Sequence, residues 1–180
     1  MLNLPLNSDI VYPLSGSLPQ VRMSSGVEWA LHCCVVLGQA SEPVPATQLA
    51  TLHGVSPSYL AKVLQALSRS GIVRSTQGAV GGYQLTSAPT ELSVLDVVLA
   101  VDGDEPAFRC TEIRQRGPLA ARPQDCGRPC AVARAMAAAE AAWRAALAAT
   151  TIADIAADVE TDTDGTAFPR LRTYLHTTTH

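Results

Sequence analysis

The sequence has few aromatic residues, little positive charge and no long hydrophobic run. Aromatic residues make up 4% of its 180 residues, although hydrophobic residues as a whole make up 47%. A core built from Leu, Val, Ile and Ala is more typical of packed helices than of a β-sandwich. We therefore expect a mainly helical protein, with either one medium domain or a small domain that carries an extension.

No apolar run approaches the length of a bilayer span, and the first residues lack the basic and then apolar segments of a secretory signal. We expect a cytoplasmic protein that does not associate with a membrane. The formal net charge of -3 argues against a uniformly basic nucleic-acid binder. However, cations outnumber acids between residues 22 and 87. A phosphate-binding surface should therefore lie in the first half of the chain.

Two short helices joined by a tight turn are predicted between residues 47 and 71. Thr47 is a suitable N-cap for the first helix, and Gly54 can supply the left-handed residue that ends it. Ser56 is placed as the N-cap of the second helix, with Pro57 at the first helical position. A stripe of Leu and Val residues gives this second helix a buried face. The pattern predicts a helix-turn-helix.

Two short strands are predicted next, at residues 72–75 and 83–86, with a glycine-rich tip between them. Glycines allow such a hairpin to approach a phosphate backbone closely, as in the wing of a winged helix. A helix-turn-helix followed by a wing predicts binding to double-stranded promoter DNA. The expected phosphate contacts are Lys62, Arg69, Arg74, Ser75 and the wing tip at Gln77 and Gly78, and the expected base contacts are Ser58, Tyr59 and Gln65.

An alanine-rich helix of about twenty residues, roughly 30 Å long, is predicted to open at Cys130. A long helix with a small-residue face suits a partner helix, so we interpret it as a dimerisation helix, although it could instead pack only on its own domain. The predicted fold is thus mainly α, a winged helix-turn-helix with a small β-hairpin wing and a long C-terminal dimerisation helix. The predicted divisions are a flexible leader at 1–21, the DNA-binding domain at 22–88, a loop with three cysteines and the dimerisation helix at 89–159, and a mobile tail at 160–180.

Five cysteines are an odd number for a disulfide framework, and in a reducing compartment they suggest metal or redox chemistry. Cys110, Cys126 and Cys130 lie in one loop, where thiolates could bind zinc, copper or an iron–sulfur cluster. The spacing of the last two is not the two-residue spacing of most zinc knuckles. Inert cysteines or a thiol switch are the alternatives. Cys33 and Cys34 lie in an apolar helix and are interpreted as small hydrophobic residues.

Glu28 and His32 lie four residues apart in a helix predicted over residues 22–38, so both project from one face. Both side chains can ligate iron. Taken alone, such an exposed pair is more often a solvated contact than a metal site.

Several motifs resemble the Rrf family of winged helix-turn-helix iron–sulfur transcriptional regulators, of the Isc and Nsr type, and are most similar to its redox-sensing Rsr branch. The resemblance covers about residues 21 to 156. It rests on SGVEWALH at 25–32, SPSYL at 56–60, GGY at 81–83, VLDVV at 94–98 and TIADI at 151–155. The family implies a homodimer that inserts a recognition helix and a wing at each half-site. Gln77-Gly78 replaces the Arg-Gly that is common in the family's wings, which removes an expected minor-groove arginine.

The resemblance also implies a cluster near the dimerisation helix, with ligands from both subunits. Glu28 falls where a carboxylate ligand from the other subunit is found, His32 lies one turn further on, and the three loop cysteines fall on the family's cysteine loop. Since a [2Fe–2S] cluster normally uses four protein ligands, the favoured set is Glu28, His32, Cys110 and Cys130, with Cys126 spare. Unequal cysteine spacings leave the cluster type and the choice of cysteines open.

Control of promoter binding by the redox state or the presence of this cluster is the expected function. Trp29 is either a switch that relays the change from the cluster or an ordinary core tryptophan. The alternatives are a winged-helix regulator that senses through thiol oxidation or zinc and, less favoured, an electron-transfer protein that binds no DNA. The sequence has no Cys-x-x-Cys motif, βαβ pattern or catalytic constellation, so no enzyme is expected.

Overall fold

The computed structural model describes residues 23–78 and 81–177. The predicted leader at 1–21 lies outside the described residues. The elements, in chain order, are α1 Ser25–Gly38, α2 Ala46–His53, α3 Pro57–Arg69, β1 Val73–Thr76, β2 Gly82–Leu85, α4 Val94–Asp102, α5 Ala131–Ala148, α6 Ile152–Asp162 and α7 Ala167–Thr177. Across these described ranges, no helix is both long enough and apolar enough to cross a membrane.

Helix α1 runs through the centre of the core and buries one side of nearly every turn. Ala30, Cys33 and Cys34 are fully buried, and α1 packs against α3, α4 and α6. Burial raises the pKa of each of these two thiols to about 12, so both stay protonated. As predicted, Cys33 and Cys34 pack as small hydrophobic residues rather than as reactive thiols.

Helices α2 and α3 form the predicted helix-turn-helix. Gly54 ends α2 at φ 65°, a left-handed conformation that glycine adopts without strain. The Ser56 side chain accepts a hydrogen bond from the Tyr59 N–H at 3.3 Å and caps α3. The predicted cap of α2 is wrong, because the Pro45 carbonyl accepts the first helical hydrogen bonds and Thr47 already lies inside the first turn. The fixed φ of proline favours this earlier start.

Strands β1 and β2 form the predicted antiparallel wing, each one residue away from its expected bounds, with Val73 paired to Leu85 and Thr76 to Gly82. Val44, in the connection between α1 and α2, forms a bridge to Tyr83 through two backbone hydrogen bonds of 2.8 and 2.9 Å. A Cβ at Gly82 would lie 2.5 Å from the Val44 carbonyl carbon. Glycine is therefore required where the start of β2 passes close to the connection between α1 and α2.

Helices α4 and α6 each begin with a capping box, Ser93 with Asp96 and Thr151 with Asp154. The two helix starts are also joined by backbone hydrogen bonds, including that from the Ile152 N–H to the Leu92 carbonyl at 2.9 Å. This junction returns the chain to the core after α5.

Helix α5 has the predicted position and length, 18 residues or about 27 Å. Trp143 and Leu147 near its end pack against Val27 and the first turns of α4. Its first half is open, with Val132 61% and Met136 40% exposed. Within this fully described helix no residue is buried.

The predicted mobile tail at 160–180 is wrong for residues 160–177. Helix α6 continues to Asp162, and α7 then packs Phe168 and Leu175 into the core. The buried Gln48 of α2 donates a hydrogen bond from Nε2 to the Leu175 carbonyl at 3.0 Å. Although this segment is acidic and rich in Thr, it contains apolar residues at helical spacing, which the prediction overlooked. Helix α5 is therefore not the last helix of the chain.

Candidate metal centre and nucleic-acid interface

Two of the three loop cysteines lie side by side at the start of α5. The Cys110 and Cys130 sulfurs are 3.6 Å apart. Cys130 is the N-cap of α5, and its sulfur accepts a hydrogen bond from the Ala133 N–H at 3.3 Å. The Cys110 sulfur accepts one from the Glu112 N–H at 3.4 Å. Each sulfur is thus oriented by a backbone donor.

The two thiols differ in acidity because their surroundings differ. The Ala133 N–H, foremost, and the hydrogen bond from Cys110 lower the pKa of Cys130, as expected for a thiol at a helix N-terminus. The Glu112 N–H acts to lower the pKa of Cys110 too, but the hydrogen bond to Cys130 and other smaller effects leave it raised. Cys130 is therefore the thiol of the pair that ionises first.

The sulfur spacing suits a single metal. A tetrahedral metal at about 2.3 Å from two thiolates places them about 3.8 Å apart. Cys126 is half-buried, in a short 3₁₀ turn from Pro123 to Cys126. The pair borders an apolar cleft of about 530 Å³ lined by Phe108, Ile113 and Val132 among others.

No group of three or more His, Cys, Asp or Glu side chains in the described part of the chain is arranged to hold a metal. Cys110 and Cys130 therefore make at most half of a four-ligand set. The remaining ligands would have to come from outside this arrangement.

Glu28 and His32 are both exposed on α1. Between them Trp29 is half-buried and packs against the main core. The His53 ring, at the end of α2, lies 5.8 Å from the His32 ring and 5.9 Å from the Trp29 ring, measured between centroids. Of the two ligand candidates on α1, His32 thus contacts the helix-turn-helix, through the His53 ring.

His53 was not identified from the sequence. Its Nε2 atom is the one buried side-chain nitrogen or oxygen among the described residues with no hydrogen-bond partner. Burial, with a smaller effect of His32, lowers the pKa of His53, so its neutral form is favoured. No local pattern marks this residue, because its contacts exist only once α2 has docked on α1.

The exposed face of α3 carries four of the predicted DNA-contacting residues. Ser58, Lys62, Gln65 and Arg69 follow one another at helical spacing and are all exposed. The opposite face is the buried stripe with Leu60, Leu64 and Leu67. Tyr59 differs from the expectation, because it is half-buried and its hydroxyl lies 3.0 Å from the Ser25 hydroxyl of α1.

The wing carries the other predicted contacts. Arg74, Ser75, Gln77 and Gly78 are exposed. The Arg74 guanidinium donates to the Gln84 side-chain oxygen on the opposite strand at 3.0 Å. Gly78 has φ 119°, a conformation that favours glycine. Residues 79 and 80 at the tip lie outside the described residues.

The winged helix-turn-helix and its cysteine loop match a known family. The Rrf2 family model, described as "Iron-dependent Transcriptional regulator", matches residues 23–158. The chain belongs to the Rrf2 family. The match ends before α7, so α7 lies beyond the part of the chain that the family model describes.

Curated Rrf2 relatives are similar to about half of the chain. The regulator IscR of Photorhabdus laumondii is 37% identical over 92 residues, which cover 50% of this chain and 56% of IscR. Protein rrf2 of Nitratidesulfovibrio vulgaris is 35% identical over 78 residues, or 43% of this chain and 52% of that protein. The chain spans about half the length of such curated relatives.

Solved structures are similar to the fold over most of the chain. IscR of T. potens superposes with a TM-score of 0.60 and 21% identity, covering 79% of this chain and 90% of its own. CymR, the global cysteine regulator of B. subtilis, superposes with a TM-score of 0.57 and 22% identity, covering 77% and 98%. The predicted mainly helical winged fold is confirmed.

Proposed function

We propose that this protein is a cytoplasmic transcriptional regulator, not an enzyme, whose promoter binding depends on the redox state or the presence of an iron–sulfur cluster, of the [2Fe–2S] type. The observation that carries the proposal is a pair of sulfurs 3.6 Å apart in a chain whose winged helix-turn-helix leaves a polar helix face exposed. Membership of a family described as iron-dependent regulators supports it.

The proposed cluster ligands are Cys110 and Cys130 of one subunit with Glu28 and His32 of a second copy. The described chain offers no third ligand beside the sulfur pair. Glu28 and His32 are exposed and therefore free to face another subunit. The open first half of α5, with Val132 and Met136, supplies an apolar surface for a homodimer. Cys126 is the spare cysteine in this proposal.

A bound [2Fe–2S] cluster would supply one-electron exchange, and nitrogen and oxygen ligands would raise its reduction potential above that of an all-thiolate cluster. The protein itself would transmit the change in cluster state from α1 to the helix-turn-helix. His32 contacts His53, and His53 ends the first helix of the helix-turn-helix. Trp29 contacts the same ring, so a shift of its packing would move α2 relative to α1.

DNA binding is proposed to use the α3 face and the wing. Lys62, Arg69, Arg74, Ser75 and the backbone near Gly78 are available for phosphates, and Ser58 and Gln65 for base edges. In a homodimer, two such helices would bind half-sites about one helical turn, roughly 34 Å, apart.

Thiol oxidation is the second candidate for the sensing step. The distance between the Cys110 and Cys130 sulfurs would allow these thiols to form a disulfide, losing two electrons and two protons to an oxidant such as a peroxide or another disulfide. This alternative keeps the DNA-binding function and changes only the sensor.

The deciding experiment is iron and sulfide analysis with a visible spectrum, on protein purified without oxygen. We expect iron and sulfide in the wild type and an altered spectrum in the Glu28→Ala/His32→Ala double variant. The matched control is Glu42→Ala, an exposed carboxylate just after α1. Colourless wild-type protein without iron or sulfide, even after reconstitution, would contradict the cluster and favour the thiol sensor.

A further inference from the structure

The loop between α4 and α5 brings together two cysteines that are far apart in the chain. It contains little regular structure that could hold them there. Cys110 and Cys130 are 20 residues apart. Apart from two short 3₁₀ turns, residues 103–130 contain no helix or strand, and this fully described loop has no buried residue. An unsupported loop of this length loses considerable chain entropy when its ends meet. Specific polar contacts must therefore hold the sulfurs in place.

The Arg114 side chain joins the two limbs of this loop, that is, the segment that follows Cys110 and the segment that precedes Cys130. Its guanidinium donates from Nη2 to the Arg128 carbonyl at 2.6 Å, just before Cys130. It also donates from Nε to the Glu112 carboxylate at 2.7 Å, just after Cys110. The Arg114 carbonyl in turn accepts from the Ala121 N–H at 2.7 Å. One residue thus contacts the beginning, the middle and the end of the loop.

Glu112 transmits this contact to Cys110. It is one of two non-glycine residues with positive φ among the described residues, at 51°. Such a conformation persists when the surroundings impose it. In this conformation the Glu112 N–H donates to the Cys110 sulfur while its carboxylate accepts from Arg114. The ion pair therefore holds the backbone donor that orients Cys110.

Two other arginines of the loop, Arg109 and Arg122, make no contact that joins its two ends. The Arg114 side chain is 24% exposed, whereas those of Arg109 and Arg122 are each 73% exposed. Arg109 pairs with Glu105 and Arg122 with Asp125, within one helical turn of sequence. These two residues provide matched controls of the same charge in the same loop.

We propose that Arg114 is a positioning residue for the Cys110–Cys130 pair, which it assembles by joining both limbs of the loop and by holding Glu112 in the conformation that orients Cys110. The proposal rests on the proposed function only in that the same sulfur pair is the sensing site. The guanidinium also places a fixed positive charge near Cys126 and Cys130, whose charges, after the larger effect of Glu112, help raise the pKa of Arg114.

The test measures how readily the pair closes into a disulfide in cluster-free, full-length protein. In a glutathione buffer without oxygen, two cysteine thiols and one oxidised glutathione give one protein disulfide and two reduced glutathione molecules. The equilibrium constant reports the effective concentration of one thiol at the other. A Cys126→Ser background prevents other loop disulfides, and non-reducing electrophoresis excludes disulfides between subunits.

We expect Arg114→Gln to lower this equilibrium constant about tenfold, a shift of about 30 mV in the disulfide potential. Arg114→Lys should behave like Arg114→Gln, because lysine lacks the planar fork that reaches two acceptors. Arg109→Gln and Arg122→Gln should stay within about twofold of the parent.

Three outcomes would overturn the proposal: an unchanged constant in Arg114→Gln, full rescue by Arg114→Lys, or an equal loss in the two control variants. Failure of the parent to form the disulfide would also contradict it, since the pair would then not be assembled. The measurement involves neither iron nor DNA. A protein that binds no cluster or no promoter would therefore fail the proposed function and leave this result standing.

Discussion

The helix-turn-helix and the cysteine loop are held in place by different kinds of interaction. Helix α3 buries Leu60, Leu64 and Leu67 completely. The loop at 103–130 buries no residue and depends on polar contacts such as the one between Arg114 and the Arg128 carbonyl. Buried apolar contacts give the helix-turn-helix its own stability, whereas exposed polar contacts are weaker and more easily rearranged. This contrast is what the proposed function requires, a rigid DNA-binding unit next to a sensing loop that can rearrange.

The largest expected difference concerns stability. Leu64→Ala removes a fully buried side chain and should lower the free energy of unfolding by about 2–5 kcal/mol. Leu119→Ala, in the loop at 95% exposure, should change it by less than about 0.5 kcal/mol. Urea denaturation of both variants measures the difference. Similar losses in the two variants would show that the loop contributes as much to stability as the buried face of α3.

The coupling between the two regions is tested at Trp29. If its packing relays the state of the sensor, Trp29→Ala should abolish the difference in promoter affinity between oxidised and reduced protein, expected at about tenfold from a coupling of 1–3 kcal/mol. Fluorescence anisotropy with DNA selected from a random library measures both affinities, and a melting curve checks that the variant is folded. A variant that keeps the full redox dependence would identify Trp29 as an ordinary core residue.

The proposed DNA-binding face is tested separately at Lys62, which is exposed on α3. Lys62→Ala should weaken binding to all DNA sequences about equally and reduce the slope of log affinity against log salt by about one, because one phosphate contact is lost. The control is Arg122→Ala, an exposed cation of the cysteine loop. An equal change of slope in the control would show that overall charge, rather than the α3 face, determines DNA affinity.

The two predicted helix caps of the helix-turn-helix, Ser56 and Thr47, should differ in their contribution to stability. Ser56→Ala removes the side-chain acceptor of the Tyr59 N–H and should cost about 1 kcal/mol of stability. Thr47→Ala should cost less, because α2 begins before this residue. Thermal unfolding in parallel decides between them, and a larger loss for Thr47→Ala would contradict the observed start of α2.

The smallest effect concerns acid stability at the α4–α6 junction. Hydrogen bonds from the Thr151 N–H and hydroxyl lower the pKa of Asp154 below its ordinary 3.8. Its contribution to stability should therefore be complete above that value and disappear as the pH falls through the lower, folded-state pKa. Asp154→Asn should be less stable than the parent at pH 7, with the difference shrinking below about pH 4. Asp158→Asn, on the same helix outside the cap, is the control, and a pH-independent difference for Asp154→Asn would contradict the cap.

Much of the fold could be predicted because its signals are local. The cap at Ser56, the proline at Pro57 and the left-handed Gly54 each act within a few residues of their own position, and all three are observed as predicted. The start of α2 and the helix α7 were predicted wrongly. In both cases a weak local preference was outweighed, by the Pro45 carbonyl in α2 and by burial of Phe168 and Leu175 in α7.

The candidate site could be predicted only as a set of residue types. The sequence by itself determined the winged helix-turn-helix, the polar face of α3 and which side chains could serve as ligands, because helix periodicity and caps are properties of neighbouring residues. The approach of Cys110 to Cys130, the contacts of Arg114 with both ends of their loop and the contacts of the His53 ring of α2 with the Trp29 and His32 rings of α1 depend on the tertiary structure. These contacts join residues far apart in the chain, and they form only when packing of the core brings the separate elements together.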